Sequence, residues 1–264
     1  MIMKKLGFLS VAIASMFLAG CRTPCEDTDD ITAKTSNTYA VVVGLEYSRF
    51  AGSCPGAGLD AERMRDLLGK YSANVVYLRD SAATKANVVS SLKKAVEKSG
   101  ESGLVIFYYS GHGGSEPFPD TGIEEDDGSD EYYCLYDTYM RDNDMWKIIS
   151  QSKGRVFLIN DCCHSQSLFR ETMVKINPPL SWDHTLNEKS SFSMLCWSGC
   201  PDDTYSYGAS TGGQFTNALL RHFSENKTYE YLWEEIKNDK VLRRYEDPQS
   251  TVLGDGFEAK RIFR

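Results

Sequence analysis

Residues 155–167 read RVFLINDCCHSQS, an apolar run that ends at a polar turn containing two adjacent cysteines and a histidine. Such a turn could bind a metal ion, form a disulfide, expose a nucleophile or simply end a buried strand. Residues 104–114, LVIFYYSGHGG, repeat the pattern, because His112 follows an apolar run and is flanked by glycines. Polar groups gather where parallel strands end at their carboxyl edge. If the two strands are neighbours, we expect His112 and one of the two cysteines to lie side by side.

Three more apolar runs accompany these two, at residues 39–45, 74–78 and 192–197. All five are short, rich in β-branched or aromatic residues and not alternating, which is typical of strands buried on both faces of a parallel sheet. Helical patterns lie between or after them, at residues 59–68, after a capping Thr84, at residues 215–223 and after a capping Thr228. The alternation predicts an α/β fold with a mostly parallel sheet. Residues 116–131 hold eight acidic side chains and no basic one, which predicts a surface loop.

The N-terminus has the pattern of a secretion signal. Residues 1–20 begin with MIMKK and continue as an apolar stretch that is too short for an ordinary membrane span. The sequence LAGC at residues 18–21 resembles a bacterial lipobox, in which Cys21 would be lipidated; the alternative is a plain signal peptide with a coincidental cysteine. Residues 21–37 are polar and predict a tether, followed by a domain over residues 38–264. We expect a lipid-anchored protein of the cell envelope, and Arg22 favours the outer membrane.

Composition narrows the class of protein. The chain has 264 residues, 41% of them hydrophobic and 25% charged, which fits one globular domain. A net charge of -8 argues against nucleic acid as a partner, because binding would require a basic surface. Lipidation of Cys21 would leave seven of the eight cysteines, so at least one thiol should stay outside intramolecular disulfides. We expect a monomer that contacts the membrane through its anchor alone.

A cysteine and a histidine alone would be a weak signal, but several further motifs accompany them. In chain order they are GLDAERMRDLL (58–68), YYSGHGG (108–114), DDGSDEYYCLYD (126–137), NDCCHSQS (160–167), SGCPDDTYS (198–206) and DPQST (247–251). Together they resemble the metacaspase and caspase-like cysteine peptidases of clan CD, family C14, here in a bacterial lipoprotein form. The resemblance covers roughly residues 38–264. It implies a three-layer caspase-like sandwich and a cysteine endopeptidase that acts on polypeptides.

The resemblance also assigns catalytic roles. The nucleophile of the family directly precedes the histidine of the cysteine motif, which corresponds to Cys163, while Cys162 falls on a variable position and is expected to be buried. A thiolate needs a neighbouring imidazole, and His112 corresponds to that general base and acid. The N–H groups of Gly113 and Cys163 would form the oxyanion hole. Where the family motif has Ser-Gly, this chain has Ser165-Gln166, so we expect a local backbone shift there.

The substrate pocket can be assigned in the same way. Asp60, Asp161 and Ser110 match the S1 residues of metacaspases, which imply cleavage after arginine or lysine. Two converging carboxylates favour a guanidinium that can bond both. The alternative is structural, with Asp60 capping a helix and Asp161 accepting a hydrogen bond at the strand end. A cysteine of the family pocket is replaced by Ala57, and Cys54 is out of register.

No cofactor is required by the resemblance, although many metacaspases are activated by calcium. Four aspartates could supply oxygen ligands for Ca²⁺, namely Asp126, Asp127, Asp142 and Asp144. The alternative is a solvated acidic loop, and Arg170 stands where related enzymes have a further aspartate. Zinc is disfavoured because the Cys-Cys-His run lacks the usual ligand spacing.

Two alternatives concern the remaining histidines and the activity itself. His164 is expected to be a structural hydrogen-bonding residue, and His184 and His222 to be surface or packing residues. A catalytically inactive lipoprotein that keeps the fold as a binding scaffold is the alternative to a peptidase, because sequence alone does not show that His112 and Cys163 meet.

Overall fold

A computed structural model describes residues 35–49, 51–116, 130–163, 168, 175–176, 184–186, 190–200, 208–257 and 260–263. The predicted signal sequence, Cys21, most of the predicted tether, Asp126 and Asp127 lie outside the described residues. So do His164, Ser165-Gln166 and Arg170. No helix in the described part of the chain is long and apolar enough to span a bilayer.

The chain folds into fifteen strands and five α-helices within the described residues. The strands are β1 (Thr35–Gly44), β2 (Tyr47–Ser48), β3 (Gly52–Ser53), β4 (Ser72–Arg79), β5 (Leu104–Ser110), β6 (Gly113–Glu116), β7 (Asp130–Cys134), β8 (Tyr139–Arg141), β9 (Arg155–Asp161), β10 (Lys175–Ile176), β11 (His184–Leu186), β12 (Ser193–Ser198), β13 (Gly208–Ala209), β14 (Gly212–Gly213) and β15 (Gln249–Leu253). The helices are α1 (Ala57–Tyr71), α2 (Lys85–Ser99), α3 (Asp142–Ile149), α4 (Gln214–His222) and α5 (Tyr229–Lys237).

Eight of the strands form one sheet in the order β10-β11-β15-β12-β9-β5-β1-β4. All five apolar runs are strands in this sheet and occupy five consecutive positions. Each is paired in parallel with the next: β4 with β1, β1 with β5, β5 with β9, and β9 with β12. β15 adds to this block antiparallel to β12. The predicted mostly parallel sheet is therefore confirmed.

Helices cover both faces of the sheet. On one face, Val41 and Val43 of β1 belong to a buried cluster with apolar residues of α2 and α3. On the other face, Ala40 and Val42 belong to a second cluster with residues of α1, α4 and α5. Successive side chains of a strand point to opposite faces, so one apolar run supplies both layers. The three-layer α/β sandwich predicted from the sequence is confirmed.

The predicted helix caps are also present. The hydroxyl oxygen of Thr84 accepts the N–H of Asn87 (3.3 Å) at the start of α2. That of Thr228 accepts the N–H of Tyr231 (3.2 Å) at the start of α5. Each contact satisfies one of the N–H groups that a helix leaves without a partner in its first turn.

The structure differs from the sequence predictions at the periphery of the fold. β4 is an edge strand with Val76 exposed, so it is not buried on both faces. α3 and β15 were not predicted. The stretch expected to be a surface loop contributes residues to the small β6-β7-β8 sheet, and Glu131 is buried there, because pairing with β6 and β8 draws β7 inward. β1 begins at Thr35, three residues before the expected domain start.

Candidate active site

The pairing of β5 with β9 brings the two polar turns together. Ser110 and Asp161 are partners at the ends of these strands, and the N–H of Gly111 donates to the carbonyl oxygen of Asp161 (3.4 Å). His112 and Cys163 each follow by two residues. A Cβ atom placed on Gly113 would lie 2.2 Å from the carbonyl oxygen of Cys163, a distance that no side chain tolerates. The two turns therefore meet backbone to backbone, and only glycine fits at position 113.

A backbone carbonyl orients the His112 ring. Its Nε2 donates to the carbonyl oxygen of Ser53 at 2.9 Å. Because a carbonyl can only accept, Nε2 carries the proton, and in the neutral ring Nδ1 is left as the acceptor. The carbonyl of His112 is held in turn by the N–H of Cys134 (3.0 Å) and the hydroxyl of Tyr109 (2.7 Å). Sequence reasoning missed Ser53, because a contact through a backbone carbonyl leaves no side-chain signal.

The two adjacent cysteines lie in different environments. Cys162 is 1% exposed, and burial raises the pKa of its thiol well above its usual range. Its carbonyl accepts a hydrogen bond from the thiol of Cys200 (3.3 Å). Cys163 is only partly buried. The six cysteines in the described part of the chain form no disulfide.

The three residues assigned to the S1 pocket gather behind these turns. Asp60, near the start of α1, accepts hydrogen bonds from the Ser110 hydroxyl (3.3 Å) and the Gly213 N–H (2.7 Å). Asp161, at the end of β9, accepts both the N–H (2.9 Å) and the hydroxyl (2.6 Å) of Thr216. Asp161 therefore caps α4 in addition to ending a strand.

Both carboxylates are closed off from solvent, although a pocket for a basic side chain would have to open to it. Asp60 is 0% exposed and Asp161 is 4% exposed. Burial, together with the negative charge of Asp161, raises the pKa of Asp60 to about 7. The residues predicted to form S1 are thus together, but donors from β14 and α4 already bond one oxygen of each carboxylate in this structure.

Cys54 also lies near the two aspartates and Cys163, although its position in the sequence is out of register with the cysteine of the family pocket. Burial raises the pKa of its thiol to about 12, and the charges of Asp161, Cys163 and Asp60 add to the effect. Its N–H donates to the carbonyl of Glu46 (2.8 Å), which fixes the turn that carries Ser53. Such a thiol stays protonated at neutral pH and is not a competing nucleophile.

Asp142 and Asp144, the described members of the predicted calcium set, have partners within the protein. Asp144 forms an ion pair with Lys85 (2.6 Å), which occupies the oxygen that a cation would need. Asp142 is fully buried, and its carboxylate accepts the N–H of Asn143 (2.6 Å) at the start of α3. Among the described residues, no three His, Cys, Asp or Glu side chains gather as a metal site.

His222, which was expected to be a surface or packing residue, forms a hydrogen bond through Nε2 with the carboxylate of Asp239 (2.7 Å).

Comparison with known proteins agrees with this arrangement. The sequence profile of the caspase domain, peptidase C14, matches residues 37–246, which include both turns and the three residues predicted to form S1. The chain belongs to the caspase-domain family. This assignment confirms the predicted membership of the caspase-like peptidase family C14.

Curated relatives of this caspase-domain chain include metacaspases. Metacaspase-1A of Aspergillus oryzae is 31% identical to it, with 90% of this chain and 76% of the relative aligned. Metacaspase-1A of Aspergillus niger is 24% identical, with 81% and 70% aligned. The family and these relatives make the chain a member of a cysteine peptidase family.

Solved structures show the same fold. A structural-genomics protein of Geobacter sulfurreducens superposes with a TM-score of 0.65 at 24% identity, covering 86% of this chain and 98% of its own. Caspase-1 of Spodoptera frugiperda superposes with a TM-score of 0.50 at 12% identity, covering 88% and 94%. At such identities the likeness supports the architecture alone.

Proposed function

We propose that this protein is a cysteine endopeptidase whose nucleophile is Cys163 and whose general base and acid is His112. The observation that carries the proposal is the contact between the two turns, in which Gly113 lies against the carbonyl of Cys163. In a family of cysteine peptidases, this contact brings together the two residue types that thiol chemistry requires. Cys162 is an unsuitable nucleophile because it is buried and its pKa is raised.

In the proposed reaction, His112 accepts the thiol proton of Cys163, and the thiolate attacks the carbonyl carbon of the scissile peptide bond. The N–H groups of Gly113 and Cys163 would stabilise the oxyanion of the tetrahedral intermediate. His112 returns the proton to the leaving amine, and the acyl group remains on Cys163 as a thioester. A water molecule, deprotonated by His112, then attacks the thioester; the acid product leaves, and His112 returns the proton to the sulfur of Cys163. The Ser53 carbonyl supports this cycle because its bond to Nε2 leaves Nδ1 as the proton acceptor.

We further propose that the P1 residue is arginine or lysine, with arginine preferred. Asp60 and Asp161 are the two charged residues assigned to the pocket, and both are acidic. A guanidinium can bond two carboxylates at once and cancel their mutual repulsion. An aspartate at P1 would add a third negative charge, so we expect no cleavage after aspartate.

Matched fluorogenic peptides that differ only in arginine, lysine or aspartate at P1 test the proposal. Wild-type protein should cleave the arginine peptide fastest and leave the aspartate peptide intact. Asp161→Ala should lose most of the arginine activity. Preference for aspartate, or arginine cleavage undiminished in the variant, would contradict the acidic pocket. Hydrolysis of no peptide at all would favour a binding scaffold.

The proposed location is the cell envelope, with the protein held by lipid on Cys21. The support is the lipobox-like sequence at residues 18–21. Replacement of Cys21 by serine should shift the protein from the membrane fraction to a soluble or unprocessed form, measured by fractionation and immunoblotting. Unchanged fractionation would contradict the anchor.

A further inference from the structure

Access to the acidic pocket is restricted in the structure. The proposal below rests on the proposed function, in which this pocket takes a basic P1 residue. A guanidinium would need the carboxylate oxygens as acceptors. In the structure, Oδ2 of Asp60 accepts the Gly213 N–H, and Oδ2 of Asp161 accepts both donors of Thr216. Oδ1 of Asp60 is buried and has no hydrogen-bond partner among the described residues. Backbone N–H groups of Gly213 and Thr216, together with the hydroxyls of Ser110 and Thr216, thus occupy the pocket, while Oδ1 of Asp60 remains available as an acceptor.

The element that closes it is the hairpin of β13 and β14, residues 208–213, called here the 208–213 hairpin. A Cβ on Gly212 would lie 2.1 Å from Oδ1 of Asp60, and one on Gly213 would lie 2.2 Å from Oδ2 of Asp161. Gly212 also has a φ of +103°, a conformation that favours glycine. Two consecutive glycines therefore let the hairpin lie directly on both carboxylates, where any side chain would be excluded.

A single arginine fastens this hairpin to α1. Arg63 lies one helical turn after Asp60, and its Nη1 donates to the carbonyl oxygen of Thr211 (3.1 Å) and to Oδ1 of Asn217 (3.0 Å). Asn217 donates to the same Thr211 carbonyl (3.4 Å). The tip of the hairpin is thus held by two side chains that contact neither Cys163 nor His112 through any hydrogen bond in the described part of the chain.

We propose that the 208–213 hairpin is a gate over the S1 pocket, that Arg63 and Asn217 are the positioning residues of its latch, and that a basic P1 side chain opens it. The closed state keeps two carboxylates close together and leaves Oδ1 of Asp60 without a partner. A P1 guanidinium replaces the Gly213 N–H at Asp60 and supplies a positive charge that the hairpin lacks. Acidic or apolar side chains provide no such gain, so the gate admits basic residues selectively.

Steady-state kinetics with the arginine peptide test the latch. Arg63→Gln removes the guanidinium of the latch and also a positive charge that acts on Asp60. Asn217→Ala weakens the same latch without changing charge, so it separates the two effects. Both should lower KM by about threefold or more with little change in kcat, because apparent affinity rises with the open population. Arg65→Gln is the matched control, because Arg65 lies on the same helix but pairs with Glu62 and Asp66. The KM of this variant should stay at the wild-type value. A KM that is unchanged or raised in both latch variants would overturn the gate.

Hydrogen exchange provides a second readout that does not depend on turnover. The Cys163→Ala variant, saturated with an uncleaved arginine P1 peptide, should show faster deuterium uptake at the amides of residues 212–213 than the same variant with the aspartate peptide. Unchanged or slower uptake with the arginine peptide would overturn the gate. If wild-type protein still cleaves that peptide, the proposed function survives such a result. If wild-type protein cleaves no peptide, the proposed function fails and the gate fails with it.

Discussion

At the scale of single residues, the environment separates two cysteines that are adjacent in sequence. Cys162 lies inside the core with a raised pKa, and Cys163 is only partly buried in the turn beside Gly113. The motif resemblance assigned the same two roles from position alone. The physical basis is the strand end, where successive side chains point to opposite faces.

A pair of alanine substitutions distinguishes the roles of these cysteines. Cys163→Ala should lower kcat by about 10³-fold or more, since the nucleophile is lost. Cys162→Ala should keep most of the activity and lose about 1 kcal/mol of unfolding free energy, since it removes a buried sulfur. Peptide hydrolysis and urea unfolding measure the two effects. A dead Cys162→Ala variant that remains folded would reverse the assignment.

Asp60 gives a prediction about pH. Its pKa is raised to about 7 by burial and by Asp161, against an ordinary value of 3.8. The unfolded chain therefore ionises at lower pH than the folded one, so this group costs stability as pH rises from about 4 to about 7, and the cost is fully present above pH 7. Asp60→Asn should remove it and raise the unfolding free energy at pH 8 by at least about 1 kcal/mol. Urea unfolding at pH 5 and pH 8 checks this, and an equal effect at both values would contradict it.

The same ionisation affects catalysis with the opposite sign. In the proposed function a basic P1 residue binds the ionised pair, so kcat/KM for the arginine peptide should fall as pH drops below about 7. Asp60→Asn should lose most of this activity while gaining stability. A pH profile that is identical in wild type and in this variant would show that Asp60 plays no part in binding.

At the scale of elements, the site depends on how closely two strand ends approach. β5 and β9 are neighbours in register, and Gly113 allows the turn after β5 to touch the turn after β9. Gly113→Ala should push the carbonyl of Cys163 away and misplace the nucleophile, lowering kcat by about 100-fold with an intact fold. Peptide hydrolysis and circular dichroism would test it. Full activity in this variant would mean that the contact is not needed.

The sequence predicted most of the sheet because its central strands carry continuous apolar runs. It did not reveal α3, a short helix whose first turn holds the acidic residues Asp142 and Asp144, or β15, which joins antiparallel at the far side of β12. The motifs assign Asp60 and Asp161 to the S1 pocket, but the burial of these carboxylates was not predictable. That burial depends on the 208–213 hairpin, which is more than forty residues away from either aspartate in sequence. The hairpin contacts the carboxylates through a backbone N–H and two glycines, which leave no side-chain signal.

At the scale of the whole molecule, residues Ala33–Arg264 form one compact unit. We expect this unit, expressed without the residues before it, to keep its secondary structure and to hydrolyse the arginine peptide with the kcat of the full chain. Circular dichroism and kinetics on the purified domain measure both properties. A domain that aggregates, or that is folded but inactive, would show that the preceding residues complete the fold or the site.

The central claim is that Cys163 is the nucleophile of a peptidase that recognises a basic P1 residue. The most direct measurement is covalent labelling with a peptidyl halomethyl ketone carrying arginine at P1, which forms a thioether with an attacking cysteine and releases halide. Peptide mapping by mass spectrometry should find one label, on Cys163, in wild type and in Cys162→Ala, and none in Cys163→Ala. The matched reagent with aspartate at P1 should leave the protein unlabelled. Label on Cys162 or Cys54, or equal labelling by both reagents, would contradict the account.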